Sequence, residues 1–372
     1  PIVSMSYMFY KSNATSIDLS SFNTSYVTNM QYMFAHSQMV TLDLSGFDTS
    51  KVTNMREMFS NSQATTIEIS SLNTSNVTNM SGMFFKVQAK SLNLSGFDTG
   101  KVTDMSSIFC NCEATSLDLS NFDTSNVIYM NSMFNNSKAT EIKGLDNFNT
   151  SNVTNMTDMF ASSYAHILDL SNFDTSNVTD MSRMFYYGKS TTLKLQSFNT
   201  KKVTNMEWMF SGSKATSIDL SNFDTSNVTT MKYMFTSSEA TSILGLENFD
   251  TSNVTDMLEM FSNSKVKTLD LSSFDTRKIT NMNWMFNKCS NLTTIYVSDK
   301  FITENVSSST QMFNGSTKLV GGSGTTYNAN HIDKEYAHID GGTSNPGYFT
   351  DVADKNIPKP IAFSTDSWQT II

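Results

Sequence analysis

The sequence predicts an α/β solenoid, with short parallel strands on one face and short helices on the other. The pentad Met-x-x-Met-Phe, or a one-residue variant, occurs twelve times at a spacing of 25 or 26 residues, from Met5 to Phe286. A degraded thirteenth copy ends at Phe313. Tandem repeats of this length are typical of solenoids, in which each repeat forms one rung of a stack. We therefore expect broad outer surfaces rather than a deep pocket.

The strand prediction rests on a short alternating segment in each repeat. Leu117-Asp118-Leu119 alternates apolar and polar residues with period two. This pattern is typical of a strand with one buried face and one solvated face. Each repeat is therefore expected to add one short strand to a parallel sheet.

The helix prediction rests on the apolar spacing that leads into the pentad. Val127, Met130, Met133 and Phe134 lie at positions i, i+3, i+6 and i+7. These positions form one stripe along a helix. The polar residues 123–125 precede the stripe, and short polar side chains commonly cap a helix start. We expect this helix to return the chain to the strand face.

Neither segment is stable alone, so the repeats must stack. A helix of about eight residues is marginal in water, and a lone short strand buries almost nothing. Stacking aligns equivalent side chains in columns, and the unbranched methionine side chain fills irregular gaps between them. Core packing is therefore favoured for the methionines over a cofactor role. Two of the predicted core columns are Leu19, Leu44, Ile69, Leu94, Leu119 and Phe22, Phe47, Leu72, Phe97, Phe122.

Two repeats contain one additional residue, which is glycine in both. Gly144 and Gly245 interrupt the strand segments 142–145 and 243–246. Glycine inside a strand commonly marks a β-bulge. We predict two bulges that bend the sheet, and a groove for a ligand at these points is the alternative.

The composition excludes several classes of protein. The chain has 372 residues and a net charge of −9, which argues against nucleic acid as a partner. No run of 18 apolar residues occurs, so no membrane span is predicted. Cys110, Cys112 and Cys289 are expected to be buried free thiols, since no set of metal ligands accompanies them. No metal or other cofactor is predicted.

The periodicity divides the chain into three parts. Residues 1–313 form the repeat array, 314–350 are predicted to cap its last rung, and 351–372 form a linker and the start of a further domain. An array requires a cap because its last rung would otherwise expose core side chains. Ile2 occupies the valine position of an incomplete repeat, so the sequence is expected to be part of a longer protein.

The repeat unit resembles a known bacterial family. Residues 168–185 and 218–235 follow the pattern Leu-Asp-Leu-Ser-Asn-Phe-Asp-Thr-Ser-Asn-Val-Thr-x-Met-x-x-Met-Phe, with Ile218 at the first position of the second copy. This unit is similar to the BspA-like leucine-rich repeat, also described as the Mycoplasma-lipoprotein-type repeat. The resemblance implies a right-handed leucine-rich-repeat-like solenoid. It further implies an extracellular protein, secreted or on the bacterial cell surface, that binds host matrix or cell-surface protein or glycan, or other bacteria.

The first candidate binding surface is a column on the outer side of the predicted strands. Neighbouring members should lie about 4.8 Å apart, where charges on adjacent rungs interact. The column is either a solvated, charge-balanced face or an acidic recognition strip that calcium could assist, although no calcium loop with the usual ligand spacing occurs. Its candidate residues are Asp18, Asp43, Glu68, Asp118, Lys143, Asp169, Lys194 and Asp219.

The second candidate surface is the outer side of the predicted helices. Several pentads carry an aromatic residue between their two methionines, where others carry glycine or serine. Aromatic side chains on a polar surface are typical contact anchors, but they could equally pack against a neighbouring helix. The residues are Tyr7, Tyr32, Trp208, Tyr233 and Trp284.

Three functions are compatible with the sequence. The favoured one is a non-enzymatic adhesion module that binds through the solenoid surface. The alternative is a passive stalk that displays a neighbouring domain. An enzyme would have to use the cluster His331, Asp333, His338 and Asp340, which no catalytic motif accompanies.

Overall fold

The computed structural model describes residues 1–355 and shows a parallel β-solenoid in which each repeat forms one rung. The strands pair in parallel with a register of one repeat, so that Leu42 lies opposite Ile67 and Leu117 opposite Ile142. The strand prediction is confirmed for most repeats. The strands are β1 (Thr41–Asp43), β2 (Thr66–Glu68), β3 (Ser116–Asp118), β4 (Glu141–Lys143), β5 (Ile167–Asp169), β6 (Thr192–Lys194), β7 (Ser217–Asp219), β8 (Ser242–Leu244), β9 (Thr268–Asp270), β10 (Thr294–Val297) and β11 (Thr350–Asp351).

A second parallel ladder runs along the array just before each pentad. It consists of single-residue bridges between equivalent positions, such as Asn29 with Asn54 and Asn54 with Asn79. Bridges of this kind run from Ser4 to Tyr129, on to Thr230, and from Asp256 to Ser308. Most rungs therefore pair with their neighbours before the pentad, and pairs of rungs also join on the strand face.

The prediction of short α-helices is wrong for the described residues. The pentad segments are runs of turns, and residues 1–355 contain only short 3-10 helices. In the second rung, the amide of Met33 bonds to the carbonyl of Met30 in its own rung, at 3.2 Å. The amide of Phe34 bonds instead to the carbonyl of Met58 in the next rung, at 2.9 Å. Alternate amides therefore hold the turn and join the rungs, whereas a helix would use them all internally.

The turns depend on left-handed backbone conformations at two positions in each repeat. The third residue of the pentad and the residue four positions later both have positive φ, as at Trp208 (60°) and Gly212 (64°). Twenty-three non-glycine residues among 1–355 have this conformation, which L-residues seldom adopt. The hydrogen bonds between rungs offset this cost at every turn.

The spacing of the rungs explains why no helix forms. Phe134 stacks on Phe109 and Phe160 of the adjacent rungs, with ring centroids 5.8 and 5.3 Å apart. Neighbouring helices need about 8–10 Å between their axes. A turn segment is as thin as a strand, so it fits the rung spacing and a helix does not.

The predicted core is confirmed. The methionines of the pentads are buried from Met30 onward, and the pentad phenylalanines form a continuous ring stack from Phe9 to Phe313. Both leucine and phenylalanine columns also lie in the core, with Phe22 of the first rung half-buried. The three cysteines are free and buried, as predicted. Burial raises the pKa of Cys112 and Cys289 to about 11.

The Asp/Asn-Thr-Ser segment stabilises each turn after the strand, although no helix follows it. Asp123 accepts a hydrogen bond from the amide of Ser125 at 2.9 Å. The buried Thr124 hydroxyl donates to the carbonyl of Asn149 in the next rung, also at 2.9 Å. The same bond repeats at Thr24, Thr49, Thr74, Thr99, Thr150, Thr175, Thr200, Thr225, Thr251 and Thr276.

The inserted glycines do not form the predicted bulges. Asp118 still pairs with Lys143 at the end of β4, so the strand register is continuous. Gly144 follows β4 with φ of 87° and Gly245 follows β8 with φ of 90°. Each begins a 3-10 helix, Leu145–Asn147 or Leu246–Asn248. The turn absorbs the extra residue. The sheet is interrupted after both glycines, since β4 does not pair with β5 nor β8 with β9, and it is also interrupted between β6 and β7, where no residue is inserted.

Residues after Phe313 cover the last rung. The rings of Tyr348 and Phe349 are fully buried and lie edge-on to Phe313, at 5.1 and 5.9 Å. Strand β11 pairs with β10. This region contains the 3-10 helices Lys334–Tyr336, Gly342–Ser344 and Val352–Asp354. Most of the predicted linker and further domain, 356–372, lies outside the described residues.

Candidate interaction surfaces

From Asp43 onward, the structure places the charged residues of the predicted column along the outer side of the sheet, whereas Asp18 is exposed in a segment that is not a strand. Asp43 lies opposite Glu68, Asp118 opposite Lys143, and Asp169 opposite Lys194. Asp219 lies opposite Leu244, which is half-exposed. We call this row of outer side chains the strand-face column.

The acidic residues of the strand-face column stabilise the turn that follows each strand. Hydrogen bonds from the hydroxyl and amide of Ser45 lower the pKa of Asp43 below its ordinary value. Ser70 lowers the pKa of Glu68 in the same way. These hydrogen bonds occupy one oxygen of each carboxylate and give it a local structural role. The same serine contact is made by Asp18, Asp118, Asp169 and Asp219.

Among the candidate residues of the strand-face column, the structure shows one direct ion pair. Lys194 Nζ lies 2.5 Å from Asp169 Oδ2. This contact and the hydrogen bonds from Ser171 lower the pKa of Asp169 to about 2. Lys143 forms no ion pair within 4.0 Å among residues 1–355. Within that range no group of three or more His, Cys, Asp or Glu side chains is arranged to hold a metal ion.

The aromatic candidates lie at the first left-handed position of their turns, on the outer side. At the start of the array, the rings of Tyr7 and Tyr32 stack 4.7 Å apart, and Tyr10 meets Tyr7 edge-on at 5.4 Å. The Tyr32 hydroxyl donates to Glu57 at 2.7 Å. Burial and this bond raise the pKa of Tyr32 to about 12. We call Tyr7, Tyr10 and Tyr32 the N-terminal aromatic cluster.

A second aromatic cluster lies farther along the same outer side. The rings of Trp208 and Tyr233 stack 3.8 Å apart, and Tyr186 meets Trp208 edge-on at 5.7 Å. Tyr187 packs against Tyr186 and lies over Gly212, where any Cβ would collide with its ring. We call Tyr186, Tyr187, Trp208 and Tyr233 the central aromatic cluster.

In both aromatic clusters the rings pack against each other and not against a neighbouring helix. Trp284 belongs to neither cluster, and its indole Nε1 donates to Gln311 at 3.4 Å. The sequence analysis missed Tyr10, Tyr186 and Tyr187, which lie one or two residues after their pentads. Of these, Tyr187 occupies the second left-handed position of its turn, and Tyr10 and Tyr186 lie one residue before that position.

The cluster at the end of the array serves the local structure. Asp333 accepts a hydrogen bond from the amide of Gln311 at 2.7 Å, and the ring of His331 stacks on Tyr336 at 4.3 Å. Asp340 is 5% exposed, and its carboxylate accepts hydrogen bonds from residues 323–347. His338 Nδ1 lies 2.9 Å from the carbonyl of Ile339.

The repeats match one family model, described as Mycoplasma protein of unknown function, DUF285. The model matches residues 1–95, 79–167, 134–244 and 238–344. The chain belongs to this family. No curated protein matches the chain, and no solved structure matches it either. Within residues 1–355, no helix of this DUF285 protein has the length and apolar character needed to cross a membrane.

Proposed function

We propose that this DUF285 solenoid is a non-enzymatic interaction module of a secreted or cell-surface bacterial protein, built as a BspA-like, leucine-rich-repeat-like array. It binds host matrix or cell-surface protein or glycan, or other bacteria, through its outer surface. The extracellular location and the classes of partner follow from the resemblance of the repeat. The outer turn surface supplies the physical argument.

The observation that carries the proposal is the contrast within each pentad. The two methionines and the phenylalanine are constant in nearly every repeat and lie in the core. The residue between them, on the outer side, is Tyr32, Gly82 or Trp208 in different rungs. The same backbone thus presents aromatic, small or charged groups at regular intervals. Such variation on a constant frame suits recognition of an extended partner.

The two aromatic clusters are the favoured contact points. Tyr7 and Tyr187 are 48% and 44% exposed, although their neighbours hold them in defined orientations. Ordered aromatic side chains lose little conformational entropy on binding and are enriched among residues that dominate binding energy. Tyr32 and Tyr187 lie six rungs apart, about 29 Å at 4.8 Å per rung. A partner that contacts both clusters must therefore be extended or multivalent.

The test is binding of the purified chain to immobilised extracellular-matrix proteins, mucins and a glycan array. The double variant Trp208→Ala, Tyr233→Ala should lose at least about tenfold in affinity for whichever partner binds, because both stacked rings are removed. Ser132→Ala changes the same position of another turn and should bind normally. Uniform absence of binding across the three panels would overturn the proposal.

A passive stalk is the second candidate, and one observation favours it. Several outer charges are already paired within the array, including Arg183 with Asp158 and Lys194 with Asp169. A stalk requires length and no specific contacts. If the aromatic double variant supports normal adherence of cells while removal of two whole repeats reduces it, the stalk replaces the interaction module.

A further inference from the structure

The sheet opens into a groove after the first inserted glycine. The groove lies between β4 and β5 on the strand face and has a volume of about 740 Å³. It runs along the direction of the strands, because two successive rungs supply its walls. Its lining includes Glu141, Ile142, Lys143, Asp146, Ile167 and Asp169.

The walls of the groove present strand edges that do not pair with each other. Before the groove, the amide of Leu119 bonds to the carbonyl of Lys143, at 3.0 Å. No backbone hydrogen bond joins residues 141–145 to 167–170. The last backbone hydrogen bond between the two rungs lies at one end of the groove, where the amide of His166 donates to the carbonyl of Thr140 at 3.1 Å. The unpaired backbone groups along these edges can hydrogen-bond the backbone of an extended peptide that lies in the groove.

The groove also contains apolar surface with no partner in the fold. Ile142 lines the groove but packs partly against the core. Ile167 is 62% exposed on the outer side, where the preceding rung carries Glu141. The equivalent positions in most other rungs of the sheet carry threonine or serine, as at Thr192 and Ser217. An isoleucine at this point adds apolar contact area for a side chain of a bound strand.

The second glycine insertion shows what can cover such a site. Asp270 and Glu247 lie 101 residues after Asp169 and Asp146 and hold the equivalent positions. There, Lys355 forms an ion pair with Asp270, and the charge of Glu247 also raises the pKa of that lysine, after the contact with Asp270. The side chain of Asp270 is only 14% exposed, whereas that of Asp169 is 42% exposed. The second site is thus covered by Lys355 of the terminal region, whereas at the first site Asp169 pairs with Lys194 of the next rung and stays more exposed.

We propose that the groove between β4 and β5 binds an extended, basic peptide segment of a partner protein. The peptide backbone lies along the unpaired edges, and an apolar side chain contacts Ile167. A lysine or arginine of the peptide reaches Asp146 and replaces Lys194 at Asp169. A glycan fits this groove less well, since its lining contains no Phe, Tyr or Trp ring. This inference rests on the proposed interaction function and names a partner class for one part of the surface.

The probe is a library of random heptapeptides displayed on phage and selected on the complete chain. We expect enrichment of peptides that combine one or two basic residues with β-branched residues. Affinity of the consensus peptide should fall at least about tenfold in Ile167→Arg, which blocks and charges the groove, and in Asp146→Lys. Thr192→Arg places the same side chain one rung farther along, outside the groove, and should bind as the unmodified chain does.

Two results would overturn the groove proposal. One is selection of peptides without a basic residue, or of none. The other is a consensus peptide that binds Ile167→Arg and the unmodified chain equally well. The same variants should be measured on the matrix, mucin and glycan panels. If Ile167→Arg still binds on those panels, the proposed interaction function stands even where the groove proposal fails. The two failures can therefore be distinguished.

Discussion

The repeat array and the region after Phe313 are stabilised in different ways. In the array, the same contact recurs at every rung, as with Thr124 and its ten equivalents. After the array, a single buried carboxylate, Asp340, accepts five hydrogen bonds from the residues around it. The array thus distributes its stability among equal small contributions, whereas the terminal region concentrates its stability at one side chain.

This difference separates the residues that tolerate change from those that do not. In a solenoid each rung contacts only its neighbours, so the effect of a substitution spreads over adjacent rungs. A substitution in a unique polar centre leaves several buried donors without a partner. Four predictions test the contrast, and local hydrogen exchange is suited to them because an array need not unfold as one unit.

The largest effect is expected from a cavity in the ring stack. Phe134→Ala removes a fully buried ring between Phe109 and Phe160. Such truncations cost about 3–5 kcal/mol of unfolding free energy. Hydrogen exchange should accelerate in the rungs that contain the three rings. Phe85→Ala, the same change at a half-buried outer position, is the control and should cost clearly less.

A comparable but local effect is expected at the polar centre. Asp340→Asn keeps the shape of the side chain but replaces an oxygen acceptor by a donor, so that bonds from Thr325 and Gly342 are lost. The expected cost is about 3 kcal/mol. Amides of residues 323–349 should exchange faster while the middle of the array is unchanged. Asp354→Asn is the exposed control. Uniform destabilisation of all rungs would contradict this division.

Acid should destabilise the region around Asp340. Burial raises the pKa of Asp340, but the hydrogen bonds from Thr325, Gly342 and Gly347 lower it more, and the net pKa lies below the ordinary 3.8. A lowered pKa contributes stability above the ordinary value, and that stability is lost as the pH falls through the lower pKa of the folded state. Protease susceptibility of residues 323–349 should therefore rise below about pH 4. Asp340→Asn should abolish this pH dependence.

The smallest effect is expected from one member of a repeated column. Thr124→Val retains the shape of the side chain and removes the hydroxyl that donates to Asn149. The expected loss is about 1 kcal/mol, measured by denaturant unfolding. Thr103→Val removes an exposed hydroxyl that bonds to Thr78 at 3.2 Å, and should cost less. Equal losses of unfolding free energy in the two variants would show that burial of the threonine column adds no stability.

The core and the strands were predictable because they depend on residue period alone. Leu117 and Leu119 alternate with Asp118, and the structure buries both leucines in the rung that the period assigns. The strand-face column and the aromatic residues of the pentads were also found at the predicted outer positions. The packing partner of the aromatic residues was not predictable, because stacking of Trp208 on Tyr233 depends on how the turn directs its side chains.

The helix prediction failed for a specific physical reason. The spacing of Val127, Met130, Met133 and Phe134 fits a helical stripe and equally fits a turn that buries the same residues. Local pattern cannot distinguish them, since only the distance between rungs excludes a helix. The glycine insertions were correctly recognised as irregular, but they form tight turns and not bulges, and the groove lies beside Gly144.

The sequence alone determined that this DUF285 protein stacks identical rungs and which residues line the interior, because a fixed period aligns apolar side chains whatever the backbone does between them. Only the tertiary structure decided the conformation of the pentads, the aromatic clusters and the groove after β4. These features arise from hydrogen bonds and spacing between residues some 25 positions apart, which no single repeat contains.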